Sequence, residues 1–310
     1  MEKPIDLEEV MRYPLSPVPH SLGTSDGFFC KTNKAPMVHY LLSDTHVPDY
    51  PLGAMFIQDG NALFHTLKNL PDTYGEICLQ VLDNMVAKQN LIFSTDNYEH
   101  ESIKAQERLR RGFGEKCIIV GPKTVRAPEF KLFLANEDNK KQLCQLLYKV
   151  WTSAVSAEQL ARCGTAILSV EGLAHSLSAA DGEVTSKEVY SLRSNQEETD
   201  TRIVLYCHHA AELGFKRAVV RTPDSDVLFI LLYHAQNIKL TVYIDIGTGR
   251  GRQLVNVSQL ATDLGPEYCD TLLGYYVFSV EDCTSSFKGK RKVSPLKKLQ
   301  KNLKYQAAFR

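Results

Sequence analysis

The sequence predicts an α/β fold with a mainly parallel sheet, and two observations predict it. Short apolar runs of strand length alternate with segments that carry helical stripes. The chain has 310 residues, 44% hydrophobic and 23% charged, enough for one large domain or two small ones around a sizeable core. That composition excludes a collagen, a wholly disordered chain and a disulfide miniprotein. No apolar run reaches the ~18–20 residues that a membrane-spanning helix needs. Met1-Glu2-Lys3-Pro4 lacks the apolar stretch of a signal peptide.

The elements follow in order. Residues 1–53 contain Pro4, Pro14, Pro17, Pro19, Pro36, Pro48 and Pro51 and read as a proline-punctuated leader of loops and extended segments. Ala54–Gln58 reads as a short buried strand stopped by Asp59-Gly60, with a helix expected to about residue 69. Ile77, Val81, Leu82 and Met85 place a helical stripe on Tyr74–Gln89. Leu91–Phe93 is the next strand, followed by Ser94-Thr95-Asp96. Glu101–Arg111 is polar and basic, a surface helix, and Cys117–Val120 reads as a third strand. Leu143, Leu146, Leu147 and Val150 mark a helix over 137–151, and Ala166–Val170 another strand. A helix over 198–213 puts Ile203, Cys207, Ala210 and Ala211 on one face. Ala218–Arg221 is a strand running into Asp224-Ser225-Asp226, and Leu240–Ile244 is the last clear strand. The α/β domain is expected over residues 54–287, with a basic C-terminal segment over 288–310.

Eight cysteines occur with no Cys-x-x-Cys pair, which excludes a zinc ribbon or a thioredoxin-type motif. Most sit in apolar runs and read as buried, reduced thiols of an intracellular protein, nuclear or cytoplasmic. The zero net charge hides an asymmetry. From Lys288 onward there are nine basic residues and no acid, which leaves 27 basic against 36 acidic residues before it. Lys288, Lys290, Arg291, Lys292, Lys297 and Lys298 are therefore candidates for contact with nucleic acid. A solvated tail or a nuclear-import signal is the equally simple alternative.

The chemistry is expected where strands run into carboxylates: Asp59, Asp96, and Asp224 with Asp226. In a parallel sheet the carboxyl ends share one edge, where ligands bind. Clustered hard oxygen ligands suit Mg²⁺ or Mn²⁺, one ion or two. For any single acid the commoner role is N-cap of the next helix. Coincidence over several strands raises the functional reading. Glu197, Glu198 and Asp200 open the long helix; simple βαβ reasoning places its start at the opposite edge. Gly247-Thr-Gly249-Arg-Gly251 fails as a phosphate loop, and no Gly-x-Ser-x-Gly element is present.

Taken together, Asp59, Asp96, Glu198-Thr-Asp200, Asp224-Ser-Asp226 and Asp282 resemble, in order, the acidic residues of PIN-like, flap-endonuclease-type (XPG-like) nucleases. Glu197–Arg202, Asp224–Leu228 and Asp245–Gly249 also resemble a group of PIN-like proteins of animal genomes that are often associated with mobile elements. The resemblance spans roughly residues 54–292 and is strongest after 195. It implies a three-layer α/β/α core with a C-terminal helical hairpin and basic tail, and it brings the helix start into the acidic site. It implies Mg²⁺ or Mn²⁺ on Asp59, Asp96, Glu198, Asp200, Asp224, Asp226 and Asp282, with Lys104 and Arg110 on the scissile phosphate. The implied activity is structure-sensitive cleavage of DNA or RNA. The chain departs from that family where Val280-Glu281 and Arg291 replace hairpin glycines. Those departures imply the alternative, a truncated or decayed copy that binds nucleic acid or protein without cleaving.

Overall fold

A computed structural model of the chain describes residues 8, 21–24, 30, 33–42, 45–98, 114–280 and 286–310. In chain order the first half comprises α1 (Ala35–Leu41), β1 (Met55–Asp59), α2 (Gly60–Thr66), α3 (Tyr74–Val86), β2 (Asn90–Ser94), α4 (Phe130–Leu134), α5 (Glu137–Trp151) and α6 (Ala157–Leu160). The second half comprises β3 (Thr165–Val170), β4 (Leu173–Ala180), β5 (Glu183–Glu188), α7 (Thr199–Glu212), β6 (Arg217–Thr222), α8 (Asp226–His234), β7 (Thr241–Ile246), β8 (Gln253–Asn256), α9 (Val257–Leu264), α10 (Pro266–Val280), α11 (Val293–Gln300) and α12 (Leu303–Ala307). Two compact units divide these elements. One is Leu42–Cys269; the other joins Met1–Leu41 to Asp270–Arg310.

The larger unit holds one eight-stranded sheet in the order β5-β4-β3-β2-β1-β6-β7-β8. The five central strands are parallel, and β4, β5 and β8 add antiparallel edges. The mainly parallel sheet expected from the alternation of elements is present. Every residue of β1 is buried, as a strand covered on both faces requires. Phe56, Leu91, Phe93, Ala166 and Leu168 join one cluster with Ile77, Leu82, Leu147 and Trp151 of α3 and α5. Trp151 anchors it: its ring lies 5.3 Å from that of Phe93, and Nε1 donates to the Cys78 carbonyl at 2.9 Å. A reciprocal capping box of Thr73 and Glu76 starts α3.

Two expectations are corrected. Cys117–Val120 joins no strand ladder. Its backbone is satisfied by side chains of α5 instead: Asn139 Oδ1 accepts from Cys117 N at 2.8 Å and Gln142 Oε1 from Ile119 N at 2.9 Å. The helix after Asp59 ends at Thr66, because Leu67 turns extended (ψ 139°). The surface helix expected at Glu101–Arg111 lies outside the described residues.

In the smaller unit, residues 293–300 and 303–307 are helical, which replaces the solvated-tail reading of that stretch. Leu296 and Leu299 of α11 are buried, and the Tyr40 hydroxyl of α1 donates to Gln300 Oε1 at 2.8 Å.

Candidate functional site: an acidic sheet edge

The chain runs β1, β2, β3 outward on one side of β1, then returns to place β6 and β7 on the other. The order therefore reverses between β1 and β6, and the crevice beyond the carboxyl ends at such a reversal is where α/β sheets bind ligands. Asp59 ends β1, Asp96 follows β2 by two residues, and Asp224 follows β6 by two.

Each of these acids first performs a local task. Asp59 caps α2, accepting from Ala62 N at 3.0 Å, and its other oxygen accepts from Thr222 Oγ1 at 3.2 Å. Gly60 is needed beside it, since a Cβ there would lie 2.5 Å from the Phe93 ring and 2.8 Å from the Ser94 carbonyl. Asp224 Oδ1 accepts from Asp226 N at 3.0 Å at the start of α8, and Asp224 N donates to Thr222 Oγ1 at 3.1 Å. Asp96 Oδ1 accepts from Thr199 N at 2.9 Å, capping α7 where Glu198, the N-cap residue, makes no side-chain cap bond.

That last bond corrects the expectation that α7 starts at the far edge. A helix that runs back along the sheet begins where strands end, so its N-terminus lies at the carboxyl edge. The junction is stitched further: Asn97 N donates to Glu197 O at 2.7 Å and Asn97 Nδ2 to Gln196 O at 3.0 Å. Glu198 and Asp200 thereby join the strand-end acids.

Capping does not neutralise these carboxylates, and they act on one another. Burial, then the charge of Asp96, with Asp224 a smaller influence, pushes the Asp59 carboxyl up to about 7, against the bonds from Ala62 and Thr222. Burial pushes Asp200 well above the usual carboxylate range, and Asp224, Asp59, Asp96 and Glu198 push it further. Asp226 is not among the charges that act most on either acid. An all-carboxylate donor set of this kind fits a hard divalent cation. Among the described residues, however, no three His, Cys, Asp or Glu side chains are drawn together as a metal-holding group. Asp282, Lys104 and Arg110 lie outside the described residues. Lys288, Lys290, Arg291, Lys292, Lys297 and Lys298 belong to the smaller unit.

The residue that sequence reasoning missed is Arg202. It is 1% exposed and reaches neutral oxygens only: the Glu198 and Thr95 carbonyls, Ser169 Oγ, Thr199 Oγ1 and Tyr206 Oη. Ser94 and Ser169 complete this buried polar layer with Tyr206. One guanidinium thus ties the start of α7 to the ends of β2 and β3. The available signal was its place in Glu197–Arg202, one turn after Glu198.

No protein-family model matches the chain, and no curated protein sequence matches it. Among solved structures it is similar to the T5 D15 protein co-crystallized with metal ions, at 10% identity and a TM-score of 0.40, over 80% of this chain and 74% of that one. It is also similar to the bacteriophage T5 D15 flap endonuclease in a pseudo-enzyme-product complex with DNA and metal ions, at 10% identity and a TM-score of 0.38, over 80% and 75%. A likeness of this depth fixes neither an activity nor a ligand for the chain.

Proposed function

We propose that the chain is a divalent-metal-dependent, structure-sensitive nuclease on a PIN-like core, hydrolysing phosphodiester bonds of DNA or RNA. The observation that supports this most is that Asp59, Asp96, Glu198, Asp200 and Asp224 share the edge where strand order reverses and that the charges of the others raise Asp59 and Asp200. These acids, with Asp226 and Asp282, would hold one or two Mg²⁺ or Mn²⁺. The metal, when bound, would supply a polarised phosphoryl oxygen and an acidified water. The chain's own residues do the positioning. Thr222 aims Asp59, Asp96 fixes the first turn of α7, and Arg202 holds that turn to the sheet. Lys104 and Arg110 are proposed to offset charge on the scissile phosphate. A second reading, a nucleic-acid-binding module without cleavage, is favoured by the cation-lined cavity described below, which needs none of these acids. The kinship with mobile-element-associated proteins and a nuclear or cytoplasmic location belong to the same proposal.

Metal uptake tests the nuclease reading. Titrating Mn²⁺ or Mg²⁺ into the parent is expected to raise its melting temperature progressively, as binding to the native state alone requires. The same titration of Asp59→Asn/Asp200→Asn is expected to give no rise. Equal curves for both proteins would refute the assignment.

A further inference from the structure

In the smaller unit, α11 and the turn before it border a cavity of about 900 Å³. Lys290, Arg291, Lys292, Lys297, Lys298 and Lys301 line it, and among the described residues no carboxylate does. The cations are not scattered. Lys297, Lys298 and Lys301 fall within one turn of each other and share a face with Ser294, while Leu296 and Leu299 turn inward. Like charges one helical turn apart repel, so this face is arranged against its own stability until an anion arrives. A concave wall of one sign also focuses the field more than a flat surface does.

The lining has parts with different tasks. Lys292 is 8% exposed and its Nζ donates to the Ser279 carbonyl at 2.6 Å, in the last turn of α10. Its charge therefore supports the wall from behind, joined by the Tyr275 hydroxyl on the Lys292 carbonyl at 2.9 Å. The Lys297 ammonium stands over the Tyr40 ring, 5.2 Å from its centroid. Lys290, Arg291, Lys298 and Lys301 are exposed. Tyr305, a residue 52% exposed, closes the lining. Cations beside an exposed aromatic ring are the combination that tracks a phosphate backbone and stacks an unpaired base. A flat lipid surface would not enter a concavity.

We propose that this cavity binds a single strand of nucleic acid, DNA or RNA. Phosphates lie against Arg291, Lys297, Lys298 and Lys301, and a base stacks on Tyr305. Binding needs no divalent metal and does not depend on the acidic edge.

The test uses the full chain carrying Asp224→Asn/Asp226→Asn, in EDTA, so that cleavage plays no part. Fluorescence anisotropy with labelled oligo-dT and oligo-U is read over a series of salt concentrations. Lys297→Glu/Lys298→Glu/Lys301→Glu is expected to weaken binding at least tenfold. It is also expected to flatten the slope of log affinity against log salt by about 2, for three phosphates lost from a single strand. Tyr305→Ala is expected to weaken binding with the slope unchanged. Lys298→Gln/Lys301→Gln, a milder change at exposed positions, is expected to show the same trend with an unaltered circular dichroism spectrum. Equal binding by a folded lysine variant overturns the proposal. So does binding of phosphatidylserine vesicles, or of duplex alone, in place of single strands.

Discussion

Two aspartates at the same edge of the sheet have opposite surroundings. The register sets Gln58, Arg221 and Asp245 abreast on β1, β6 and β7, with Asp59 one residue further along. Asp245 is 2% exposed, yet its carboxyl lies below the usual range. Burial would raise it, but hydrogen bonds from Arg252 and Tyr50 and the charges of Arg221 and Arg252 outweigh burial. Arg252 grips it with two bonds, at 2.8 and 2.6 Å. Asp59 is buried nearly as well, and the charges acting most on it are other carboxylates. Asp245 is a finished ion pair that fixes the loop after β7. Asp59 belongs to a group of acids that raise one another. That crowding of like charge separates a carboxylate suited to a cation from Asp245, which holds the fold.

The comparison can be broken from either side. The largest effect is expected from Arg202→Met, which strands several buried oxygens and releases the start of α7. A loss of about 3 kcal/mol is expected in urea unfolding. A loss within experimental error would show that the acids of α7 are placed by something else. Arg252→Ala would make Asp245 resemble Asp59, a buried carboxylate without its main partner, at a cost of about 2 kcal/mol in the same measurement. Asp200→Asn is expected to act in the other direction. It removes one of the mutually repelling charges and stabilises the metal-free protein by about 1 kcal/mol, while reducing the response to Mn²⁺.

Acid should expose the same contrast. The folded value of Asp245 is depressed, so its contribution to stability is complete above the unfolded value of about 4 and is lost as pH falls through the folded value. Unfolding followed from pH 6 down to 2 should therefore show a destabilisation below about pH 4 that is smaller in Asp245→Asn. The smallest effect is a control far from either group. Gly182, at φ 79° in the β4–β5 turn with open space around it, becomes Ala at about 1 kcal/mol and with no change in metal response.

Local chemistry was legible in the sequence, and long-range placement was not. β1, β2, β3, β6 and β7 announced themselves as apolar runs, and the acids after them stood in plain view. The β4–β5 hairpin did not, because β5 is largely polar and β4 mixes small residues with serines. The turns on either side of β4 were readable: Glu171-Gly172 after β3 and Asp181-Gly182 before β5 both take the positive φ pair of a tight hairpin. Helix α8 showed no period because Val227, Leu228, Phe229, Leu231 and Leu232 are all buried. Cys117–Val120 has strand composition, but the side-chain amides of Asn139 and Gln142 took its backbone bonds. The approach of α7 to Asp96 depends on bonds between residues about a hundred apart in the chain, from Thr199 to Asp96 and from Asn97 to Gln196 and Glu197. The role of Arg202 was hidden because the oxygens that tie it to the sheet, Thr95 O and Ser169 Oγ, come from just after β2 and from β3.

The acidic edge is proposed to work on phosphodiesters with metal. The most direct measurement is cleavage of labelled flap, single-stranded and duplex substrates in Mg²⁺ or Mn²⁺, with Asp224→Asn/Asp226→Asn beside the parent. Cleavage by the parent, abolished by EDTA and absent from the folded variant, is the predicted result. A folded parent that takes up no metal and leaves every substrate intact would contradict it.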